Sequence, residues 1–236
     1  MDESIIERAK PALTSGKEGK GETSVLPLLI LGTRTFAVEV ADLVSEIPHL
    51  RLAGFVENLE RERCGETLEG VPVYWVEEMA RLAGSHWAVC ALSTTHRSRF
   101  TEQVAAYGLR FATAVHPSAR ISTKTSVGEG TIISVGAILA SHTRVGRHVI
   151  INRGALIGHH TEIGDYVSIQ PGANIAGACR IGEAAYVGMG ATVIDHITIG
   201  AHSVIGAGAV VTTDVPDHVL VVGVPARVVK ENIAGK

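Results

Sequence analysis

The segment INRGALIGHHTEIGDYVSIQPGANIAGACRIGEAAYV, residues 151–187, places an aliphatic residue at every sixth position. The same step continues on both sides, so that seventeen consecutive positions from 115 to 211 are Val, Ile or Leu. These positions are Val115, Ile121, Val127, Ile133, Leu139, Val145, Ile151, Ile157, Ile163, Ile169, Ile175, Ile181, Val187, Val193, Ile199, Ile205 and Val211. An unbroken hexapeptide repeat of this kind predicts a parallel β-helix.

Three hexads complete one triangular coil of such a helix, and residues that are 18 apart stack on adjacent coils. The aliphatic residue fills the interior, and a small or β-branched residue four positions later, as at Ala155 and Thr161, lets the chain turn. We therefore predict that residues 114–214 form a prism with a continuous aliphatic core. Cys179 falls on the inward phase of the small residues, which indicates core packing rather than a nucleophile.

The first part of the chain has a different pattern. Residues 1–24 are polar and rich in Lys, Gly and Ser, which predicts a flexible N-terminal extension. From Val25 onward, apolar runs such as VLPLLILG and HWAVCALS alternate with segments of helical spacing such as TFAVEVADLVSEI. This alternation predicts a parallel sheet, and residues 25–113 are expected to form a Rossmann-like α/β domain. After Val211 the repeat stops, and residues 215–236 are expected to form a turn and a tail.

Composition and charge exclude several classes of function. The net charge of −3 gives no electrostatic basis for binding nucleic acid or an anionic membrane. No apolar run is long enough to span a membrane, and the N-terminus lacks the pattern of a signal peptide. Three widely spaced cysteines, Cys64, Cys90 and Cys179, indicate reduced thiols. These features predict a soluble cytoplasmic protein.

An α/β domain followed by this prism and by the turn GVPAR, residues 223–227, resembles the sugar acyltransferases with left-handed hexapeptide-repeat β-helices. Within that family the chain is most similar to bacterial nucleotide-sugar N-acetyltransferases of polysaccharide biosynthesis, which acetylate a 4-amino sugar, and to sialic acid O-acetyltransferases. The resemblance covers residues 25 to about 230. It implies a homotrimer that binds acetyl-CoA between neighbouring prisms, uses no metal, and holds the nucleotide of the acceptor in the N-terminal domain.

The segment NRGALIGHHTEIGD, residues 152–165, matches the motif that carries the catalytic histidine of this family. The match places His159 on that histidine, and Gly177, one coil further on, matches a glycine whose backbone N–H lies beside the acyl thioester. An imidazole can accept the proton of an attacking amine or hydroxyl at neutral pH, and a backbone N–H can stabilise the oxyanion. The resemblance further implies that coenzyme A contacts Gly177, Ala178, Gly223, Pro225 and Ala226.

Two adjacent histidines stand in this motif, and neither shares the inward phase of the aliphatic residues, so both are expected to point outward. His160 is in register with His142 and His196, and a column of like residues indicates an exposed or intersubunit ladder. His159 is in register with small or polar residues that leave room for a substrate: Ser141, Gly177 and Asp195. We therefore predict that His159 is the general base and that His160 is its neighbour.

The sequence departs from the family at two positions near the reacting groups. The family usually places Asp or Glu directly after its catalytic histidine, where the carboxylate orients the imidazole. That position is His160 here, so Asp195, Glu162 or a residue of the adjacent subunit is expected to serve instead. The family's second histidine, near the acyl group, is replaced by Ser168 in VSIQPGA, and Ser168 is therefore predicted to donate or accept a hydrogen bond there.

The acceptor domain also differs from the family. The glycine-rich turn after the first strand is reduced to the segment Gly32, Thr33, Arg34 and Thr35, which can still bind anions through hydroxyls, the guanidinium and helix N–H groups. Glu57 and Asn58 stand where the family has an acidic pair that contacts the base. Ser93 and Thr94 open a helix after a buried strand and form a second candidate phosphate site.

Two other functions use the same fold. The first is a non-catalytic trimeric scaffold that binds acyl-CoA, which the altered turn and the missing carboxylate favour weakly. The second is a zinc enzyme like the γ-type carbonic anhydrases, for which several histidines supply possible ligands. These are His142, His148, His160, His196 and His202.

Overall fold

The computed structural model describes residues 25–236, and the predicted N-terminal extension of residues 1–24 lies outside this range. Residues 26–111 form an α/β unit with β1 (Leu26–Leu31), α1 (Thr35–Ser45), β2 (Leu50–Glu57), β3 (Thr67–Leu68), β4 (Val71–Trp75), α2 (Met79–Leu82), β5 (Trp87–Cys90), α3 (Ser98–Ala106) and β6 (Arg110–Phe111). Short 3-10 helices cover Arg61–Arg63, Val76–Glu78 and Thr95–Arg97.

The strands of this unit form one sheet in the order β3-β4-β2-β1-β5-β6. All neighbours are parallel except β3 and β4, which form a small antiparallel pair that the sequence pattern did not indicate. The apolar run in β1 is buried on both faces, because α1 covers one side with Val40 and Val44, and α3 covers the other with Phe100 and Val104. The alternation of strands and helices therefore predicted the central part of the sheet correctly.

The prism consists of seventeen two-residue strands, each ending in one of the seventeen aliphatic positions. They are β7 (Ala114–Val115), β8 (Arg120–Ile121), β9 (Ser126–Val127), β10 (Ile132–Ile133), β11 (Ile138–Leu139), β12 (Arg144–Val145), β13 (Ile150–Ile151), β14 (Leu156–Ile157), β15 (Glu162–Ile163), β16 (Ser168–Ile169), β17 (Asn174–Ile175), β18 (Arg180–Ile181), β19 (Tyr186–Val187), β20 (Thr192–Val193), β21 (Thr198–Ile199), β22 (Val204–Ile205) and β23 (Val210–Val211).

These strands make three parallel sheets in which partners are 18 residues apart, as Ile133 and Ile151 are. The first face contains β7, β10, β13, β16, β19 and β22, the second contains β8, β11, β14, β17, β20 and β23, and the third contains β9, β12, β15, β18 and β21. The aliphatic residues form one core, to which Val115 and Val127 contribute as half-buried members. The predicted left-handed β-helix is confirmed.

From residue 130 to residue 208, each corner of the prism contains one residue with positive φ, three positions after the inward aliphatic residue. Glycine adopts this left-handed conformation freely, and His, Asn and Asp adopt it more readily than other side chains. The corner residues are Gly130, Gly136, His142, His148, Gly154, His160, Tyr166, Gly172, Ala178, Ala184, Gly190, His196, His202 and Gly208.

The repeat continues past Val211, contrary to the expectation that it stops there. One corner is two residues shorter, so Val215 pairs with Ile199 and Val221 pairs with Ile205 across 16 residues instead of 18. The strand β24 (Leu220–Val222) extends the first face, and β25 (Arg227–Lys230) pairs with it antiparallel. The segment predicted as a turn and a tail therefore completes the last coil.

The α/β unit packs on the outer side of the first face. Ala114, Ile132 and Ile150 belong to the same buried cluster as β1 and α1. At the edge of this contact, Arg153 of the prism forms an ion pair with Glu39 of α1. None of the helices within residues 25–236 is long and apolar enough to cross a membrane.

Candidate active site

His159 lies at the corner between the second and third faces, directly after β14, and its side chain points outward. The imidazole stands over Gly177 of the next coil. A Cβ atom built on Gly177 would lie 2.7 Å from Cε1 and 2.8 Å from Nε2 of His159. Only glycine therefore leaves space for the ring at this height, and the predicted proximity of these two residues is seen in the structure.

The two nitrogen atoms of this ring have different surroundings. Nδ1 of His159 lies 3.1 Å from Nδ1 of His160, whereas Nε2 has no hydrogen-bond partner within residues 25–236. The backbone N–H of Gly177 likewise has no acceptor in that range, while its carbonyl accepts a hydrogen bond from the N–H of His196. An imidazole nitrogen and a backbone N–H group, neither with a hydrogen-bond partner in residues 25–236, thus belong to neighbouring residues on this corner.

His160 occupies the left-handed corner position, with φ of 57°. Its ring stacks on that of His142 one coil below, with centroids 4.7 Å apart and planes 9° from parallel. The predicted column of histidines therefore exists for these two residues, and it is interrupted at Ala178 before His196.

Neither carboxylate proposed to orient His159 contacts it. Glu162 forms an ion pair with Arg144 at 2.6 Å and lies 3.9 Å from Arg180. Asp195 lies 3.6 Å from the ring of His196. Within residues 25–236, His160 is the one side chain that has a hydrogen bond with His159.

Ser168 does not lie in this space. It is on the first face, fully buried beneath the α/β unit, and its hydroxyl accepts a hydrogen bond of 2.9 Å from Arg97. Arg97 is itself 1% exposed and donates to the carbonyl oxygens of His148, Tyr166 and Val167. The expectation that Ser168 contacts the acyl group is therefore wrong for this structure, because the serine is part of the junction between the α/β unit and the prism.

Cys179 is confirmed as a core residue. It is fully buried in the prism, its Sγ–H donates to the carbonyl of Ile194, and burial raises the pKa of the thiol. Such a thiol carries little thiolate at neutral pH.

The residues implied in coenzyme A binding lie at two heights along the prism. Gly177 and Ala178 follow β17, while Gly223, Pro225 and Ala226 form a turn beyond β24. This turn contacts β23, where Val210 donates to the carbonyl of Gly223 and accepts a hydrogen bond from Ala226. The two positions are therefore about three strand spacings, roughly 14 Å, apart along the second face.

The turn after β1 brings together most of the predicted acceptor residues. The hydroxyl of buried Thr33 donates to Glu57 at 2.5 Å, and the other carboxylate oxygen accepts from the backbone N–H groups of residues 58–60. Burial raises the pKa of Glu57, but these hydrogen bonds outweigh burial and lower the pKa below its ordinary value. Both carboxylate oxygens of Glu57 thus accept hydrogen bonds within the protein and hold the loop after β2 in place.

Arg34 is the N-cap of α1 and makes no side-chain cap there, because a guanidinium cannot accept a hydrogen bond. Its guanidinium forms an ion pair with Glu60. Arg63 donates to the carbonyl of Thr33 at 3.3 Å and lines a cavity of about 300 Å³ beside it. Gly32 is buried against Leu92, and Thr35 is exposed at the first turn of α1. Asn58 donates to Gln103, at 2.9 Å.

The second candidate phosphate site contacts the end of the chain. The hydroxyl of Thr94 donates to the carbonyl oxygen of Lys236 at 2.6 Å, and the backbone N–H of Thr95 donates to the same oxygen at 2.9 Å. Ser93 next to them is exposed. The N–H groups expected to bind phosphate here thus bind the chain's own backbone.

Four of the five histidines considered as zinc ligands stack on another ring rather than converge on one point: His142 on His160, His148 on Tyr166 and His202 on His218. Within the described range, no group of three or more His, Cys, Asp or Glu side chains is arranged to hold a metal ion. The donor set that a zinc enzyme needs is therefore not formed by these residues of one protomer.

The chain is similar to known proteins in sequence and in fold. Residues 142–177 and 178–213 match the family model described as bacterial transferase hexapeptide (six repeats). No curated protein matches the chain. A solved perosamine N-acetyltransferase from Caulobacter crescentus, in complex with CoA and GDP-perosamine, is 29% identical with a TM-score of 0.81; the match covers 88% of this chain and 99% of that one.

Two further solved structures are similar over nearly the same range. The acetyltransferase domain of PglB from Neisseria gonorrhoeae, in complex with acetyl coenzyme A, is 27% identical with a TM-score of 0.81, and the match covers 87% of this chain and 100% of that one. WeeI from Acinetobacter baumannii is 28% identical with a TM-score of 0.79, with the same two coverages.

Proposed function

Because the chain belongs to the bacterial hexapeptide-repeat transferases, we propose that it transfers an acetyl group from acetyl-CoA to an amino group of a nucleotide-linked sugar. The observation that carries this proposal is the placement of His159 over Gly177, with Nε2 of the imidazole and the N–H of the glycine both unpaired within residues 25–236. The similar structures in complex with CoA, acetyl coenzyme A and GDP-perosamine support it.

The reaction needs a base and an oxyanion donor. The amine of the acceptor attacks the thioester carbonyl, and Nε2 of His159 accepts the proton that the nitrogen loses. The backbone N–H of Gly177 donates to the developing oxyanion. When the tetrahedral intermediate collapses, the C–S bond breaks and the leaving thiolate takes the proton back from the imidazolium. No acyl-enzyme is formed, in keeping with the burial of Cys179.

The donor is proposed to lie along the corner from Gly177 and Ala178 toward the turn of Gly223, Pro225 and Ala226. Ile194, which is 40% exposed one coil above Ala176, offers apolar surface to the extended thiol arm. A groove of about 600 Å³ follows the neighbouring third face. Both features favour a donor that runs parallel to the prism axis, and acetyl-CoA as donor favours the cytoplasm.

We further propose that three copies assemble through the second face. The α/β unit covers the first face, and the third face presents a ladder of charged residues. The second face leaves Ile138 and Leu156 about 40% exposed in the protomer. Burial of these side chains against a neighbour would complete a cleft beside His159. A homotrimer is therefore expected in sedimentation, and Leu156→Glu is expected to dissociate it.

The acceptor nucleotide is proposed to bind at the carboxyl ends of β1, β2 and β5, the usual ligand position in open α/β sheets. The unpaired N–H groups at the start of α1, the hydroxyl of Thr35, Ser93 and the amide of Asn58 are the available polar groups. Arg34 would have to exchange Glu60 for a phosphate, a change that costs little because the ion pair is exposed.

A turnover assay tests the proposal. Release of the coenzyme A thiol is measured with acetyl-CoA against UDP-, GDP- and dTDP-linked amino sugars. His159→Ala is expected to lower kcat by about 10²- to 10⁴-fold while acetyl-CoA binding, measured by calorimetry, changes little. Turnover that survives this substitution would refute the role of His159. Binding of acetyl-CoA without turnover of any sugar would favour the non-catalytic scaffold.

A further inference from the structure

The proposed base has no carboxylate beside it, although its ring must be held in one orientation and one tautomer. Nε2 can accept a proton from the acceptor only if the single proton of the neutral ring is on Nδ1. That proton needs an acceptor, and Glu162 and Asp195 are engaged with Arg144 and His196. The atom that faces Nδ1 of His159 is Nδ1 of His160, at 3.1 Å.

We propose that His160 is a positioning residue that accepts the Nδ1–H of His159 and so keeps Nε2 of the base free for the acceptor. This inference rests on the proposed function and extends it to a residue that takes the place of a carboxylate. To accept this hydrogen bond, His160 must be neutral, with its own proton on Nε2 and a lone pair on Nδ1. The two rings meet edge to face, with planes at 84° and centroids 5.2 Å apart, which directs one nitrogen lone pair toward the other ring's N–H.

The backbone and the stacked ring of His142 together hold the ring of His160 in place. Its φ of 57° fixes the corner, and its N–H donates to the carbonyl of Ser141 at 3.0 Å. The ring of His142 stacks against it from below and is itself hydrogen-bonded to the hydroxyl of Ser141 at 2.6 Å. The acceptor nitrogen is therefore part of a stacked column rather than a freely rotating side chain.

The surroundings favour a neutral column. The pKa of His142 lies below its ordinary value through desolvation and through the charges of His160 and Lys124. Lys124 lies one coil below His142, while Asp195 and His196 lie two coils above His159 and His160. A proton on Nδ1 of His160 would reverse the hydrogen bond and force the proton of His159 onto Nε2. A proton added to either ring therefore removes the base.

The tautomer of His159 gives a test that does not depend on turnover. Nitrogen NMR of protein with ¹⁵N-labelled imidazoles, at a pH where both rings are neutral, should show His159 protonated on Nδ1. In His160→Gly, which accepts the positive φ, the signal should shift toward the ordinary mixture dominated by Nε2–H. A wild-type His159 protonated on Nε2, or a tautomer unchanged in His160→Gly, would overturn the proposal even if the enzyme proves active.

Kinetics give the second test. His160→Gly is expected to lower kcat about 5- to 20-fold with little change in the KM of acetyl-CoA, and His160→Asn, whose amide oxygen can accept the same hydrogen bond, should recover most of the loss. His160→Glu should move the acid limb of the kcat profile upward by roughly 0.5–1 pH unit, because a carboxylate stabilises the imidazolium. The matched control is His202→Asn, on a different edge of the prism, with φ of 57° and without contact to His159, which should leave kcat unchanged.

These results separate the inference from the proposed function. If His159→Ala remains fully active, the function fails whatever the tautomer is. If His159→Ala is inactive but His160→Gly and His160→Glu keep the wild-type kcat and pH profile, the base is correct and the positioning role of His160 is refuted.

Discussion

The position of the His159 ring can be changed without touching the ring, by replacing Gly177 with alanine. The new Cβ atom would lie 2.7 Å from Cε1 and 3.1 Å from Nδ1 of His159, whereas ordinary contacts lie at 3.4–4 Å. The ring must therefore retreat by about 0.7 Å, a movement of the size that costs around 10²-fold in rate when it displaces a catalytic group. The movement also strains the 3.1 Å contact with His160.

Stability should respond much less than activity. The atoms that the new methyl group meets belong to an exposed side chain that can swing outward, and Gly177 is not among the residues with positive φ. We expect the free energy of unfolding in urea to change by less than about 1 kcal/mol, and kcat/KM, measured by thiol release with the acceptor found in the panel, to fall about 50- to 100-fold.

Gly158 provides the control, because a Cβ there would lie 2.4 Å from the carbonyl carbon of Ala176 and 2.5 Å from the N of Gly177. Backbone atoms cannot move aside without shifting the coil, so Gly158→Ala should destabilise the prism by about 1–3 kcal/mol. If Gly177→Ala retains activity within threefold of wild type, the position of the His159 ring in the structure is not its catalytic position. If both variants lose the same stability, the side chain of His159 does not yield as we argue.

Two further predictions concern the junction between the α/β unit and the prism. Burial and the nearby cations of Arg97 and Arg147 lower the pKa of His148 to about 4 from 6.5. Between these two values the unfolded chain binds a proton at this histidine more readily than the folded protein does. The free energy of unfolding should therefore fall by about 2 kcal/mol between pH 7 and pH 5. In urea unfolding, His148→Asn should show a much shallower pH dependence of stability in that window. The control His202→Asn, at another stacked corner, should keep the pH dependence of wild type. If the two variants show the same pH dependence, the assignment to His148 is contradicted. Arg97→Met leaves the carbonyl oxygens of His148 and Tyr166 without a donor, whereas that of Val167 keeps the N–H of Ile150, and it should cost about 3 kcal/mol in the same assay. Arg99→Met, on the exposed side of α3, should cost less than about 0.5 kcal/mol, and similar losses for the two variants would contradict the prediction.

The fold was predictable because its main constraint is local and repeats. Every third hexad returns to the same face, so one inward residue per six, as at Ile157 and Ile175, specifies the core, the register and the direction of every neighbouring side chain. The same rule failed at Val211, where a corner shortened by two residues broke the step of six although Val215 and Val221 still point inward. A period detects a repeat only while the spacing between its members stays constant.

The site was predictable to the extent that it follows from this register. The stacking of His159 on Gly177 depends on a separation of 18 residues, which the sequence shows directly. The partners of Ser168 and Glu57 depend on contacts between different elements, and Arg97 lies 71 residues from the serine that it binds. Nothing in the spacing of VSIQPGA indicates that an arginine of the preceding domain fills the space above it, so the sequence suggested a ligand contact instead.

The contact between His159 and His160 was predictable only in part, because the repeat gives the position of each residue but not the hydrogen bond between their rings. A corner of the prism needs a residue that tolerates positive φ, and histidine at such a corner is explained by the backbone alone. Six histidines share this conformation. The residues before them are Ser141, Arg147, His159, Asp195, Ala201 and Asp217. Among the six, His160 alone follows another histidine, so the same backbone requirement that makes histidine acceptable there also delivers a hydrogen-bond acceptor to the base. The backbone conformation alone explains the column of His142 and His160, and the column has a proposed function at the one coil where His160 contacts His159.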